Sequence, residues 1–477
     1  MVESSRTMVG EQTGDAPVRD RSNLMLLVLC SAAFMAMLDV FVVSVAFAAI
    51  GEGYPGSSLA DLSWVLNAYT IVYAALLIPA GRLADRYGRR AGFVVGLVVF
   101  TVASLACALG PTLWWLVGFR VLQAVGAAAL TPTSLGLLLT ALPPERRATA
   151  VKIWATSTSL AAAVGPVIGG ALVKVSWQWV FLINVPVGIA AVVGAVVLLP
   201  ETKDATVTRI PDVLGAAVLA VALGSLALAL VKGQEWGWSG TGTLTAFAVA
   251  VVGLAAVAVR MRRHPAPVVD PALLRVRSFF WSNVTALLFC TAFGAVLLSV
   301  ILRLQTGAHY SALVTGLAVA PSPLMVPIFA AVSQRLSNRL APSTLVAIGN
   351  VLVGVGVIML AVSATEEVNY ATQVQPGWLL VGEGVGFSLP NLLAKATVDL
   401  PPARVSTGSA VVNTSRQMGY VLGVSMLVAI LGEFGSADAE TLAVFTYAWW
   451  AIAVVALASA ATAMGMRSRR ASAEALR

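Results

Sequence analysis

Long apolar segments, each followed by a short polar connection, run through almost the whole of this chain. A helix rises 1.5 Å per residue, so about 20 apolar residues are needed to cross a hydrocarbon core of ~30 Å. Segments of about that length or longer are found at 24–50, 62–81, 91–110, 113–139, 149–174, 180–200, 213–232, 243–261, 279–301, 313–332, 343–363, 377–397, 408–432 and 443–465. The pattern predicts an all-α polytopic membrane protein with fourteen transmembrane helices.

Composition and charge placement agree with a membrane protein. Hydrophobic residues make up 58% of the chain and charged residues 11%, whereas soluble domains carry roughly 25% charged residues. The net charge of +8 does not indicate nucleic-acid binding, because the basic residues are scattered at the ends of apolar segments. If the N-terminus is inside, most of the 30 Lys and Arg residues face the inside. This bias predicts that both termini lie in the cytoplasm. The Ala- and Val-rich composition suggests a bacterial source, so we expect a bacterial inner-membrane protein.

The lengths of the connections suggest how the spans are grouped. The segments 201–212 and 262–278 are the longest cytoplasmic connections, and they bracket spans seven and eight. We therefore predict a six, plus two, plus six arrangement. The predicted units are a tail at 1–23, an N-terminal half at 24–200, an insertion with its loops at 201–278, a C-terminal half at 279–465 and a tail at 466–477.

Residues that usually build catalytic or metal centres are few and dispersed. Cys30, Cys107 and Cys290 lie inside apolar segments, where free Cys packs as a small hydrophobe. His264 and His309 lie far apart in probable loops of the sequence. The sequence has neither a Gly-rich nucleotide loop nor a Ser-His-Asp set with its His at membrane depth. It therefore predicts no enzyme, no catalytic residue, no metal site and no cofactor.

The connection between spans two and three carries the most specific motif. It reads Gly81-Arg82-Leu83-Ala84-Asp85-Arg86-Tyr87-Gly88-Arg89-Arg90. Glycine near both ends permits a tight turn, and Asp85 is placed to cap a helix or to pair with a nearby Arg. The spacing resembles the signature loop of the major facilitator superfamily. The resemblance implies the major facilitator fold, in which two helical halves move against each other, with gating roles for Gly81, Asp85, Arg86, Gly88, Arg89 and Arg90.

Five further segments resemble motifs of this superfamily and of its fourteen-span drug:proton antiporter family. They are Leu38–Ala46 in span one, Arg120–Gly126 in span four, Gly165–Gly170 in span five, Trp177–Gly188 at span six and Asn413–Gly419 in span thirteen. The sequence departs from the family patterns at Phe41, Ser44, Ala48, Ala124 and Gln178. The resemblance implies proton-coupled export.

The motifs in spans five and thirteen imply further gating residues. They are Gly165, Pro166, Gly169 and Gly170 in span five, and Asn413, Arg416 and Gln417 in span thirteen. Small residues let helices approach closely and Pro permits a bend. Close helix packing alone is the alternative explanation for the glycines.

Asp39, Arg120, Glu383 and Arg416 lie at membrane depth in the predicted spans. Such residues cost at least ~2.5–3.5 kcal/mol to insert, so they usually face a cavity or a partner and serve transport. An ion pair that only orients helices is the alternative. The family fold implies that spans one, four, nine and twelve line a central cavity, which places Asp39, Arg120 and Glu383 there.

These placements lead to a hypothesis for coupling. We expect Asp39 and Glu383 to exchange protons and to attract a cationic substrate. Arg120 is expected to face Glu383 at one level and to hold one carboxylate ionised. The glycines on both sides of Glu383 are expected to let substrate or water approach the helix.

Further cavity-lining candidates are Arg303 and Gln305 on span nine, and Trp64, Asn67 and Tyr69 on span two. An aromatic belt at the membrane surface is the preferred interpretation of Trp64 and Tyr69. Arg303 near the outer mouth would disfavour a cationic substrate and suit an anionic or zwitterionic one. Arg416 is interpreted mainly as a conformational residue.

The function expected from the sequence is proton-driven antiport that exports amphiphilic, cationic drugs by alternating access. The alternative is a dedicated exporter of one endogenous product, an antibiotic, lipid or peptide, with an anionic or zwitterionic substrate. A channel and a membrane-embedded enzyme are less well supported. The expected partners are a small-molecule substrate and the lipid bilayer, with protons as the coupling ion, no nucleic acid, and the monomer as functional unit.

Overall fold

The computed structural model describes residues 15–204, 209–401, 404–432 and 438–467, and these residues form helices without strands. The helices are α1 Asp15–Gly53, α2 Leu59–Tyr87, α3 Arg89–Ala108, α4 Leu113–Ala141, α5 Pro144–Val173, α6 Trp179–Leu182, α7 Asn184–Leu198, α8 Val213–Trp236, α9 Thr241–Arg263, α10 Pro271–Leu274, α11 Arg277–Leu302, α12 Ala312–Val319, α13 Pro321–Leu336, α14 Pro342–Ser363, α15 Gln375–Val398, α16 Val405–Leu431 and α17 Asp438–Ala463. Most of the predicted tails 1–23 and 466–477 lies outside the described residues.

Thirteen helical segments of the described chain are long and apolar enough to cross a membrane. Two of them are interrupted: α6 and α7 form the segment Trp179–Leu198, and α12 and α13 form Ala312–Leu336. The predicted span 377–397 corresponds to α15, which has the length of a span but is less apolar because it contains Glu383, Asn391 and Lys395. The all-α membrane fold is confirmed, whereas the count of fourteen spans is not.

Helices α1–α7 and α11–α17 pack in the same order. In the first set, α1 packs against α5 and α7, and α4 packs against α2 and α3. In the second set, α11 packs against α16 and α17, and α15 packs against α13 and α14. The two sets are therefore called the N half and the C half. Their side-by-side arrangement places α1, α2, α5, α11 and α16 at the centre of the bundle.

Helices α8 and α9 pack against each other, and α8 also contacts both halves through α2 and α16. Lys232 Nζ of α8 binds Asp61 Oδ1 of α2 at 3.0 Å and Glu235 Oε2 of its own helix at 2.6 Å. Gln234 Nε2 donates to the Ala429 carbonyl of α16 at 2.6 Å. The two-helix insertion is thus attached to both halves.

Charge distinguishes the two ends of the bundle. The basic end is defined here by the turn at Gly88 and the loops at 199–204 and 264–270, and the opposite end by the loops at 54–58 and 308–311. At the basic end, Asp212 caps α8 through Gly215 N–H at 2.7 Å and binds Arg260 Nη2 at 2.5 Å. Burial alone would raise the pKa of the Asp212 carboxyl, but the hydrogen bonds from Arg260 and Gly215 bring this pKa below its ordinary value.

Candidate functional site

A cavity of about 220 Å³ lies midway along the bundle, between the two halves. Its walls come from α1, α2, α4 and α5 of the N half and from α11 and α16 of the C half. The polar and aromatic side chains that line it include Tyr69, Tyr73, Trp154, Asn413, Arg416, Gln417 and Tyr420. Ligand pockets of proteins usually measure about 300–1,000 Å³ and combine apolar walls with a few polar groups. This cavity has the same combination of walls, although its volume lies below that range.

Beside the cavity, the N half contains a buried polar network centred on Asp39 of α1. Arg120 Nη1 binds Asp39 Oδ2 at 2.5 Å. Gln123 Nε2 and Asn184 Nδ2 both donate to Asp39 Oδ1, at 3.0 and 3.1 Å. Each of these four residues is at most 1% exposed. Buried ionised groups need such partners, because desolvation without them is costly.

The network is closed on its other side by α2, α3 and the start of the sixth span. Arg120 Nε donates to the Val65 carbonyl at 3.1 Å, and Nη1 also donates to Gln123 Oε1 at 2.7 Å. Ser104 Oγ accepts from Gln123 and Asn184 and donates to the Phe181 carbonyl at 2.9 Å. A change in the charge of Asp39 would therefore alter hydrogen bonds between several helices of the N half.

Tyr69 connects this network to the cavity. The guanidinium carbon of Arg120 lies 4.1 Å from the centre of the Tyr69 ring, a cation–π contact. The same ring lines the cavity and stacks against Tyr73 at 6.1 Å. Tyr69 therefore belongs both to the cavity wall and to the surroundings of the buried ion pair.

The structure gives Arg120 a different acidic partner from the one expected. It binds Asp39 of its own half, whereas Glu383 is partly exposed on α15 and has neither a hydrogen bond nor an ion pair within the described ranges. The flanking glycines do not open a path to Glu383. Gly382 is packed against the Ser322 backbone of α13, and Gly384 against the Gly349 backbone of α14.

The other cavity-lining candidates lie elsewhere. Arg303, which is 4% exposed, donates from Nη2 to the carbonyls of Thr365 and Glu366, at 2.6 and 3.3 Å. Gln305 Nε2 donates to the Val45 carbonyl at 3.0 Å, and Asn67 Nδ2 to Ser425 Oγ at 3.2 Å, so both join the N half to the C half. Trp64 packs against buried apolar clusters. None of these four residues is among those that line the central cavity.

The span-five motif forms a backbone-to-backbone contact between the halves. Gly165 and Gly169 lie against Phe41 and the Val42 backbone of α1. Gly170 faces the backbone of Ala312 and Leu313 in the C half. In return, Gly316 of α12 faces the carbonyl of Pro166. Side chains at these glycines would hold the helices apart, so this motif brings the halves together near the opposite end.

The signature loop is held by the segment that follows α7. Gly88 has φ +140°, which favours glycine, and Asp85 binds Arg89 at 2.6 Å. Glu201 accepts hydrogen bonds from the Arg90 and Ala91 N–H groups at the start of α3, both at 3.1 Å. The loop is therefore fixed to the basic end of the N half. Gly81 lies against Pro132 of α4, and Arg86 lies over the ring of its neighbour Tyr87.

The span-thirteen residues Asn413, Arg416 and Gln417 line the cavity. The sequence interpretation of Arg416 as mainly conformational did not foresee this position, nor those of Tyr73, Trp154 and Tyr420. A usable signal was present for Tyr73, because it lies in the middle of its predicted span and not at an end, where a membrane-surface belt would place it.

These features define a class of protein: a membrane transporter in which two similar helical halves enclose a central cavity. The family model of the Major Facilitator Superfamily matches residues 29–424. The chain belongs to this superfamily, and it is a transporter and not an enzyme.

Relatives of the chain are drug and antibiotic transporters. It is 32% identical to a "Probable actinorhodin transporter" of Streptomyces coelicolor, over 86% of this chain and 72% of that protein. It is 30% identical to the "Methylenomycin A resistance protein" of the same species, over 88% and 89%. A "Tetracenomycin C resistance and export protein" of Streptomyces glaucescens is 31% identical, over 86% and 76%. The resemblance to drug exporters seen in the sequence is confirmed.

Solved structures share the fold. A peptide transporter POT in complex with sulfate matches 93% of this chain and 94% of its own, with a TM-score of 0.67 and 19% identity. A bacterial homologue of the human lysosomal transporter Spinster, in an inward-facing and occupied conformation, matches 94% and 97%, with a TM-score of 0.67 and 16% identity. At this level of identity the likeness concerns the fold alone.

Proposed function

We propose that the protein is a proton-driven exporter that carries amphiphilic small molecules out of the bacterial cell through alternating access to the central cavity. The supporting observation is Tyr69, whose ring is shared between the buried Asp39–Arg120 pair and the cavity wall. A change in protonation at Asp39 thereby reaches the surface that a substrate touches.

The coupling follows from the charges. Ionised Asp39 holds Arg120, which lies over Tyr69. A proton on Asp39 removes the negative charge that binds Arg120, which weakens this contact and frees the guanidinium to change position. Tyr69 then loses the group that fixes its ring. Proton binding and substrate binding therefore act on the same part of the N half.

The direction of transport rests on orientation and on relatives. An excess of Lys and Arg marks the cytoplasmic side, so the basic end faces the cytoplasm and both termini lie there. The relatives named for export and resistance support outward movement of the substrate. One chain contains both halves and the cavity, so the monomer is the transporting unit.

The cationic substrate expected from the sequence receives no support from the cavity wall. Its described lining contains Arg416 but neither Asp nor Glu. This observation favours the alternative, a dedicated exporter of an antibiotic-like product that is anionic or zwitterionic.

The proposal is tested with inside-out vesicles that contain the protein, an imposed inside-acid gradient and a pH-sensitive dye. Lipophilic cations, neutral amphiphiles and aromatic anions are added in turn. We expect at least one class to release protons from the vesicles, and vesicles with Asp39→Asn to remain silent. Silence of the wild-type vesicles with all three classes would reject proton-driven export.

Glu383 is the second proposed proton carrier, and Glu383→Gln tests it. We expect this variant to lose substrate-triggered proton movement in the same vesicle assay, because Gln cannot take up a proton. It should remain folded, since no described hydrogen bond or ion pair is lost. Glu145→Gln, at an exposed position at the start of α5, is the control. Unchanged proton movement in Glu383→Gln would remove this residue from the mechanism.

A further inference from the structure

Three arginines in or at the ends of the spans, Arg120, Arg303 and Arg416, differ in their partners. Arg120 binds Asp39. Arg303 donates to two loop carbonyls at the opposite end. Arg416, in the cavity wall, has no carboxylate partner in the described parts of the chain. An ionised group in apolar surroundings is costly without a counter-charge.

The surroundings of Arg416 leave part of its hydrogen-bonding capacity unused. Nη1 donates to Asn413 Oδ1 at 2.9 Å. Nε is buried and has no acceptor among the described residues. The guanidinium also has side-chain hydrogen-bonding contacts with Cys290 and Tyr420, and these two groups are uncharged at neutral pH. A positive charge with one unsatisfied donor, Nε, therefore lies in the cavity wall without a counter-charge among the described residues.

The rest of the wall suits a flat apolar body. Tyr69 and Tyr73 present stacked rings at an interplanar angle of 8°. Phe41 and Trp154 add further aromatic surface. Aromatic faces of this kind pack well against planar ligands, and they contribute large apolar contact areas.

We infer that the substrate is an aromatic amphiphile with one anionic group, such as a carboxylate or an ionised phenol, and that Arg416 binds that group. The inference rests on the proposed function, because it takes the central cavity as the transport site. Guanidinium groups recognise carboxylates through paired, charge-assisted hydrogen bonds. The negative charge of Asp39 does not compete for this role, since it is bound by Arg120 in a separate buried network.

Binding to the purified full-length protein in detergent tests the inference without a gradient. The probes are 2-anthracenecarboxylate, 2-anthracenemethanol and 2-(aminomethyl)anthracene, which share one ring system and differ in charge. Quenching of tryptophan fluorescence reports binding, because Trp154 lines the cavity. We expect the wild-type protein to bind the carboxylate about tenfold more tightly than the other two probes.

Variants at Arg416 test whether this residue causes the preference for the carboxylate probe. Arg416→Gln should lose about tenfold in affinity for the carboxylate and keep its affinity for the alcohol within about twofold. Arg416→Lys should retain part of the preference, because it keeps the charge but loses the planar fork. Arg335→Gln removes a positive charge at an exposed position near the end of α13, and it should bind like the wild type.

Two results would overturn the inference. One is wild-type protein that binds the carboxylate no more tightly than the alcohol or the amine, a comparison that needs no variant to fold. The other is an Arg416→Gln variant that weakens all three probes equally, which would indicate a packing role. If the charge preference holds but the vesicle assay is silent, the proposed export fails while the binding inference stands. If cations drive proton release and Arg416→Gln does not change it, the proposed export stands while the inference about Arg416 fails.

Discussion

Asp39→Asn is expected to abolish proton-coupled transport and to destabilise the protein. The substitution leaves the fully buried Arg120 without the carboxylate that binds it at 2.5 Å. Breaking a buried ion pair by removal of one partner typically costs about 3–5 kcal/mol. Because Asn also cannot carry a proton, we expect gradient-driven transport to fall by at least about 100-fold, equivalent to about 2.7 kcal/mol. Thermal unfolding in detergent and transport in proteoliposomes measure the two effects.

Two companion variants distinguish the effect of the unpaired charge on stability from the loss of proton coupling. The double variant Asp39→Asn with Arg120→Gln removes both charges, so it should regain stability without regaining proton dependence. Asp61→Asn is the matched control, since Asp61 also binds a cation, Lys232, but at the opposite end of the bundle. Wild-type dependence of transport on the proton gradient in Asp39→Asn would contradict the proposed role of this residue.

Gly170→Leu is expected to reduce the transport rate by about 100-fold, because its side chain would hold the two halves apart. A Cβ atom at Gly170 would overlap the backbone of Ala312 and Leu313 in α12, and backbone cannot give way as a flexible side chain can. The halves would then be unable to close at the opposite end. A cysteine introduced at Thr70 in the cavity wall should react faster with a membrane-impermeant thiol reagent added from that end.

Gly118→Leu is the matched control for this substitution, because a Cβ atom at Gly118 on α4 would have no other atom within 4 Å. It should transport at the wild-type rate. If Gly170→Leu transports as well as Gly118→Leu, the glycine contact between α5 and α12 is not part of the transport cycle.

The fold could be predicted from the sequence because each span must satisfy its own backbone hydrogen bonds in lipid, which requires a long apolar helix. Apolar segments of sufficient length occur fourteen times in the sequence, and thirteen of them are candidate membrane spans in the described structure. The fourteenth, α15, is less apolar because it contains Glu383, Asn391 and Lys395. The family resemblance then supplied the arrangement of the helices, which hydropathy alone does not contain.

The candidate site was predicted only in part. The depth of Asp39 and Arg120 in the membrane could be read from their position in the spans, but their pairing joins residues on two different helices. The faces of the helices were harder to assign, because lipid and protein interior are both apolar and leave little periodicity. For this reason Arg303 was expected in the cavity and Arg416 was not, while the structure places Arg416 there.

Obligatory exchange is the central claim, and proteoliposomes loaded with 2-anthracenecarboxylate test it most directly. The potential is clamped with valinomycin and potassium, no pH gradient is imposed, and the internal pH is recorded as the carboxylate leaves down its concentration gradient. We expect protons to enter the wild-type liposomes as substrate leaves, so that the interior becomes acidic, and we expect Asp39→Asn liposomes to show no proton movement. Substrate exit without proton movement in the wild type, or proton movement in the same direction as the substrate, would contradict this claim.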